Sequence, residues 1–251
     1  MNTFSIIEEI RTRRGACAIA LIDPDSKNDK NLVELIQRIS TVDYDVIFVG
    51  GSLIMDDKFE QRMSIIRENT TLPIIIFPGS SSQISAKADA ILYLSLLSGR
   101  NPQYLIGEQV QSAPKIYNIG LETIPTGYIL LEGGTRSSVE VMSNTRPLPM
   151  DREDIILAHA LAGQYLGMKL IFLESGSGAL NYASTKLIEY LSKHLSIPLI
   201  IGGGIKDPES AKLAVNSGAG YIVTGNILEQ TNDINMLKEI TNAVHQKENE
   251  R

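Results

Sequence analysis

The stretch from Leu199 to Asn226, LIIGGGIKDPESAKLAVNSGAGYIVTGN, constrains the fold more than any other. The apolar run Leu199-Ile200-Ile201 reads as a buried strand and ends in Gly202, Gly203 and Gly204. A helix start follows, with Asp207 as N-cap, Pro208 at the first helical position and Glu209 in the first turn. Ala211, Ala214 and Val215 keep helical spacing, and the helix stops near Gly218. A second strand, Tyr221 to Thr224, ends in Gly225-Asn226. Together these make a βαβ unit. Glycines at strand ends let backbone N–H groups approach an anion closely. The residues after Gly225 open a short helix whose positive end faces the same anion. Two such ends one helix apart are the phosphate grip found after the last two strands of many (β/α)8 barrels. The plainer alternative is a pair of tight turns.

The rest of the chain fits that frame. Apolar runs at Cys17 to Ile22, Val46 to Val49, Pro73 to Phe77, Ile91 to Leu94, Thr126 to Leu131 and Lys169 to Leu173 read as strands one to six. Helices are expected over residues 4–12, 28–40, 57–68, 181–194 and 233–246. A strong helix runs from an Asp151 cap to about Gly167, and residues 101–112 carry a poor helical signal. The link Ser80 to Asp89 has room for two helical turns, fewer than the other links. Residues 133–150 show no clear periodicity, and a loop of that length is usually functional or mobile. Eight strands alternating with helices or long links favour a parallel barrel over an open two-layer sheet. The 251 residues match the ~250 of one such domain, so the expectation is a single (β/α)8 domain over residues 1–251.

Composition narrows the function classes. With 23 Lys and Arg against 29 Asp and Glu the net charge is −6, which leaves no nucleic-acid footprint. An acidic chain that binds phosphates needs backbone dipoles, glycines or a metal. The single cysteine, Cys17, sits in an apolar run and reads as a buried small residue in a reducing cytoplasm. The N-terminus is charged and amphipathic, unlike a signal peptide. No apolar run approaches the ~20 residues of a membrane span, so any membrane contact is expected to be peripheral. His159, His194 and His245 share no zinc-ligand spacing, and His245 lies near an end expected to fray. There is no P-loop, nucleophile elbow or paired-cysteine motif.

The polar residues of interest follow strand ends: Asp23 and Asp25, Ser52, Glu132, Glu174 and Ser177. Parallel strands bring those ends to one face. Asp-Pro-Asp is good turn chemistry, but Mg²⁺ also takes one or two carboxylates and fills its other positions with water or phosphate. We favour the metal for Asp23, keep both readings for Asp25, and let Ser52 add a second oxygen. Glu174 ends an apolar strand among small residues, where a carboxylate is costly to bury unless paired or used. It reads as a general base, a holder of substrate hydroxyls, or half of a salt bridge across the mouth.

These residues carry a resemblance. Leu21-Ile22-Asp23-Pro24-Asp25, Val49-Gly50-Gly51-Ser52, Tyr165 to Leu170 running into Leu173-Glu174-Ser175-Gly176-Ser177-Gly178, Gly202 to Ile205 and Gly225-Asn226 are all present. With Ser143 to Pro149 they resemble the geranylgeranylglyceryl phosphate synthases and their bacterial heptaprenyl relatives, in particular the larger-subunit branch. The resemblance spans essentially the whole chain. It implies a barrel whose helix between strands three and four is reduced or replaced. It implies transfer of a polyprenyl group, geranylgeranyl in the nearest pattern, from its diphosphate to the 3-hydroxyl of sn-glycerol 1-phosphate. It implies Mg²⁺ near Asp23 and Ser52 on the diphosphate side. It implies glycerol phosphate on Phe172, Leu173, Glu174, Ser175, Gly176, Ser177, Gly178, Gly203, Gly204, Gly225 and Asn226, and a homo-oligomer, dimer or hexamer. Two departures stand out. Phe172 replaces the usual Tyr, and Ser26 separates Asp25 from Lys27 where the family often reads Asp-Pro-Asp-Lys. The rival readings are a metal-free sugar-phosphate isomerase or lyase on the same glycines, a non-catalytic binder of a phosphorylated ligand, and a barrel that has lost its chemistry.

Overall fold

The computed structural model describes residues 2–247. Eight parallel strands close a barrel in sequence order: β1 Cys17–Ile22, β2 Val46–Val49, β3 Ile74–Ile76, β4 Ala90–Leu96, β5 Glu122–Leu130, β6 Leu170–Glu174, β7 Leu199–Gly202 and β8 Tyr221–Thr224. Closure comes from β1 against β8, with Cys17 opposite Tyr221 and Ala20 opposite Thr224. The helices are α1 Thr3–Arg14, α2 Leu32–Thr41, α3 Phe59–Glu68, α4 Glu108–Ile119, α5 Ser138–Ser143, α6 Glu153–Tyr165, α7 Thr185–His194, α8 Pro208–Asn216, α9 Asn226–Gln230 and α10 Ile234–Val244. Residues 77–89, between β3 and β4, hold no helix, as the resemblance implies.

Strand alternation sorts the side chains into two cores. Along β6, Leu170 and Phe172 fill the barrel interior, while Ile171 and Leu173 pack against the helices. Along β1, Cys17 and Ile19 point in, and Ala18, Ala20 and Ile22 point out. Cys17 is fully buried, as its apolar run implies. Helix α1 closes the lower end: Ile7 joins the interior core, and Glu122 accepts from the Phe4 N–H at 3.0 Å. The grip has the expected frame, since Asp207 caps α8 in a reciprocal capping box with Ser210 and Pro208 stands at its start.

Three expectations need correction. The poor helical signal over 101–112 resolves into a π-helical turn, Gln103–Gly107, followed by α4, which runs on to Ile119. Pro114 inside α4 removes one backbone donor and masks the helix in sequence. Strand β5 starts at Glu122, four residues early, because Pro125 reads as a strand breaker yet tolerates this position. The cap of α6 falls at Arg152, one residue past Asp151, since the Arg152 N–H is still turned back to the Pro149 carbonyl at 3.1 Å. His245 is 2% exposed, its Nε2 2.8 Å from Asp45 Oδ2, so the chain is tied down there. Of the terminal residues expected to fray, those after Lys247 lie outside the described residues.

Candidate active site

Inward parity carries two acids to the barrel mouth. Glu174 is the next inward position after Leu170 and Phe172, and Asp23 the next after Cys17, Ile19 and Leu21. Both line one cavity of about 550 Å³ at the C-terminal ends of the strands. Ser52, Gly176, Ser177, Gly178, Gly203, Gly204, Gly225 and Asn226 line the same cavity. Phe172, Leu173 and Ser175 do not. Phe172 lies beneath the floor, stacked on Phe77 at 5.1 Å, and Leu173 faces the helices. Tyr128, opposite Phe172 in register, lines the cavity and brings a hydroxyl to the side where Phe172 has none.

Glu174 is 7% exposed. Its Oε1 accepts from the Gly176 N–H at 2.7 Å. Burial pushes its carboxyl up to about 7, and the Gly176 N–H offsets only part of that rise. A Cβ on Gly203 would sit 2.5 Å from this Oε1 and 2.7 Å from the Gly176 nitrogen, at a φ of +74°. Only glycine lets these strand ends meet so closely. The Ser177 hydroxyl donates to Asn226 Oδ1 at 2.8 Å and so ties the β6 loop to the start of α9.

The opposite wall is made of charged side chains. Asp23 Oδ2 pairs with Lys27 Nζ at 3.0 Å, and the same ammonium lies 3.5 Å from Glu229 of α9. Ser26 shifts Lys27 along the chain, yet its head still reaches the mouth. Burial lifts the Asp23 carboxyl above the ordinary range, and Lys27 draws part of that back. Asp23 Oδ1 is buried without a hydrogen-bond partner. It sits against Gly51, where a Cβ would lie 2.5 Å away. An orphaned carboxylate oxygen beside the Ser52 loop fits a hard cation. Among the described residues no group of three or more His, Cys, Asp and Glu could hold a metal ion, so substrate or water would have to supply the other ligands.

Two further sequence candidates, Asp25 and Glu132, also fall outside the cavity. Asp25 caps the short 3₁₀ turn Ser26–Asn28, accepting from the Lys27 N–H at 3.1 Å. Glu132 is exposed, because the chain leaves the strand at Leu131: the Leu148 N–H donates to the Leu130 carbonyl and the Glu132 N–H to that of Leu148. The unpatterned stretch 133–150 carries α5, capped by the Ser137 hydroxyl, and its Val139 and Met142 roof the cavity. Where β3 and β4 lack a helix, the cavity continues as a largely apolar groove past Ile84, Ile91, Tyr93 and Tyr104, which Ser81, Glu108 and Gln109 also line. Sequence reading missed Lys27 as a cavity residue and missed Glu229 and Tyr128 altogether.

The comparisons with known proteins point to one family. A protein from Flavobacterium johnsoniae named geranylgeranylglyceryl phosphate synthase is 47% identical over 209 residues, 83% of this chain and 86% of its own length. A protein of the same name from Chitinophaga pinensis is 43% identical over 225 residues, covering 90% and 88% of the two chains. The crystal structure of (S)-3-O-geranylgeranylglyceryl phosphate synthase from Thermoplasma acidophilum, in complex with its substrate sn-glycerol-1-phosphate, superposes with a TM-score of 0.92. It is 34% identical, over 98% of this chain and 99% of that one. The model of the PcrB family matches residues 8–244, and the chain belongs to that family.

Proposed function

We propose that this protein is a prenyltransferase that joins a polyprenyl group, geranylgeranyl by the names of its relatives, to the 3-hydroxyl of sn-glycerol 1-phosphate. One observation carries the reading beyond family membership. A buried acid, Glu174, stands between a glycine-built anion grip and an apolar groove that opens where one barrel helix is missing. A small phosphorylated acceptor and a long apolar donor need that combination.

The acceptor phosphate would lie against Gly176 to Gly178, Gly203, Gly204, Gly225 and Asn226, held by backbone N–H groups and the start of α9. Glu174 would accept the proton of the attacking hydroxyl. A carboxyl held near 7 is a suitable base at neutral pH, because it is partly ionised and still binds a proton well. Asp23 and Ser52 would hold Mg²⁺, which when bound would supply a Lewis acid to offset charge on a diphosphate leaving group. Lys27 adds a second positive charge on that wall. The tail would lie along Ile84, Ile91 and Tyr93, where each buried CH₂ contributes roughly 0.8 kcal/mol. One barrel domain over the whole chain, a homo-oligomer and a cytoplasmic address complete the proposal. Exposed Tyr165 and Leu166 at the end of α6 support the oligomer, and no helix among the described residues is long and apolar enough to cross a membrane.

The test is a transfer assay. Purified protein, Mg²⁺, radiolabelled sn-glycerol 1-phosphate and prenyl diphosphates of increasing length are incubated, and label in the organic phase is counted. We expect transfer that EDTA abolishes. Label that stays aqueous with every donor would sink the reading, and turnover that survives EDTA would remove the metal.

A further inference from the structure

Arg62 of α3 is 2% exposed, although Glu60 and Glu68 of the same helix are exposed. Its guanidinium has five N–H donors, and five hydrogen bonds leave it. Nε and one terminal nitrogen grip Asp29 at 2.6 and 3.0 Å. Both terminal nitrogens grip Asp56, each at 2.7 Å. The fifth bond reaches the Pro24 carbonyl at 2.9 Å. Pro24 directly follows Asp23, and Asp29 closes the same loop. Asp56 stands four residues beyond Ser52 in the β2–α3 loop. One side chain therefore fastens together the two loops that carry the oxygens of the diphosphate side.

A buried ion pair is weak evidence for stability, because desolvation of the charges offsets most of the attraction. Geometry is what such a fork supplies, since a doubly bidentate guanidinium leaves neither loop free to rotate. The need for it is visible next door. Asp23 Oδ1 is buried and unpartnered, with room for no more than a glycine at position 51 beside it. A site with so few protein ligands depends on whatever holds those ligands in place, and Mg²⁺ tolerates little departure from octahedral geometry. We propose that Arg62 is the positioning residue of the cation–diphosphate side, locking the Asp23 loop to the Ser52 loop; this rests on the assignment of Asp23 and Ser52 to that side. Lysine cannot replace it, because one ammonium cannot grip two carboxylates and a carbonyl in a plane.

The experiment compares wild type, Arg62→Lys, Asp29→Asn and Asp56→Asn. Binding of Mn²⁺ in the presence of inorganic diphosphate is read by the loss of the free-ion EPR signal. Loss of supporting contacts behind a metal ligand typically weakens metal affinity 10–100-fold. We expect at least a ~10-fold weakening in Arg62→Lys and a smaller one in each Asp variant. In the transfer assay the KM for sn-glycerol 1-phosphate should stay within about twofold, since that substrate uses the other wall. A purely structural Arg62 would lower Tm yet leave Mn²⁺ affinity per folded molecule unchanged, and that result would overturn the proposal. Should Arg62→Lys not fold, the two Asp variants decide alone, because each weakens the clamp on one loop only. Wild-type protein that binds no Mn²⁺ with diphosphate would instead overturn the assignment of Asp23 and Ser52, and the clamp with it.

Discussion

On the β6 to β8 side the mouth is lined mainly by glycines, Gly176, Gly178, Gly203, Gly204 and Gly225, and by the start of α9. On the β1 to β2 side stand side chains with full charges: Asp23, Lys27 and, behind them, Arg62 with Asp29 and Asp56. The acids record the difference. Burial without a cation pushes Glu174 up to about 7; burial lifts Asp23 too, but there Lys27 draws part of the rise back, and behind it the Arg62 hydrogen bond holds Asp56 down at about 2. Backbone dipoles fix an anion in place without mobile charge, which suits an acceptor whose hydroxyl must be aimed. Paired side-chain charges suit a leaving group that carries several negative charges. Under the proposed reading the same mouth would offer a proton acceptor on one side and a place for a cation and Lys27 to meet the diphosphate on the other.

The sharpest way to break this contrast is Glu174→Gln. It keeps size and the contact with the Gly176 N–H but cannot take a proton. A positioned base contributes typically 10²–10⁴-fold, so kcat should fall about 10²-fold or more, with a smaller change in KM. Steady-state kinetics would check this. An unchanged kcat with a raised KM would make Glu174 a holder of hydroxyls, and the proton would then leave to water or to the diphosphate.

The same substitution has a stability signature. In the unfolded chain the carboxyl returns to its ordinary value near 4.5, whereas the fold holds it at about 7. Folded protein therefore binds more protons between these values. The contribution is fully present below about 4.5 and is lost as pH rises through about 7. Ligand-free wild type should lose on the order of 2–3 kcal/mol between pH 4.5 and pH 8 through this one group. Glu174→Gln should lose correspondingly less, so urea melts at both pH values would give a variant that is less active yet more stable at pH 8. Equal pH slopes would mean that the acid is not buried in its neutral form.

Asp23→Asn probes the opposite wall. We expect a fall in turnover of roughly tenfold, eased by excess Mg²⁺, with glycerol phosphate affinity nearly unchanged; tenfold is the lower end of what disturbing a metal's surroundings costs. A Mg²⁺ titration of the rate decides it. Asparagine also releases Lys27, so a loss that Mg²⁺ does not ease would shift the role to the ammonium.

How much of this was legible in sequence follows from the range of the interactions. Strand parity is local, so Glu174 and Asp23 could be placed inward from the apolar runs that precede them. The glycine grip could be read because a capped helix and two strand ends lie within one short stretch. Glu132 obeys the same parity and yet faces solvent, because a bridge to Leu148 turns the chain after Leu131. Arg62 carries no signal in sequence beyond its place in the helix expected over 57–68. Its partner Asp29 is 33 residues away, and nothing short-range announces the pair. Tyr128 was hidden for the same reason: its neighbour across the sheet, Phe172, is fixed by register and not by spacing.

The smallest expected effect concerns the joint between the two loops of the backbone-built wall. The Ser177 hydroxyl donates to Asn226 Oδ1 at 2.8 Å, and both residues line the cavity. The bond is partly open to solvent, so water replaces some of what Ser177→Ala removes. A hydrogen bond of this kind contributes about 1 kcal/mol net, which corresponds to roughly a fivefold rise in the KM for sn-glycerol 1-phosphate. Turnover should barely change, since Glu174 keeps its contact with the Gly176 N–H. Mn²⁺ binding with diphosphate should not change at all, because the opposite wall is held by Arg62. Kinetics on both substrates and the Mn²⁺ titration read these three quantities separately. A Ser177→Ala variant that weakened Mn²⁺ binding as much as it raised this KM would show that the two walls move as one, and the division between them would have to be abandoned.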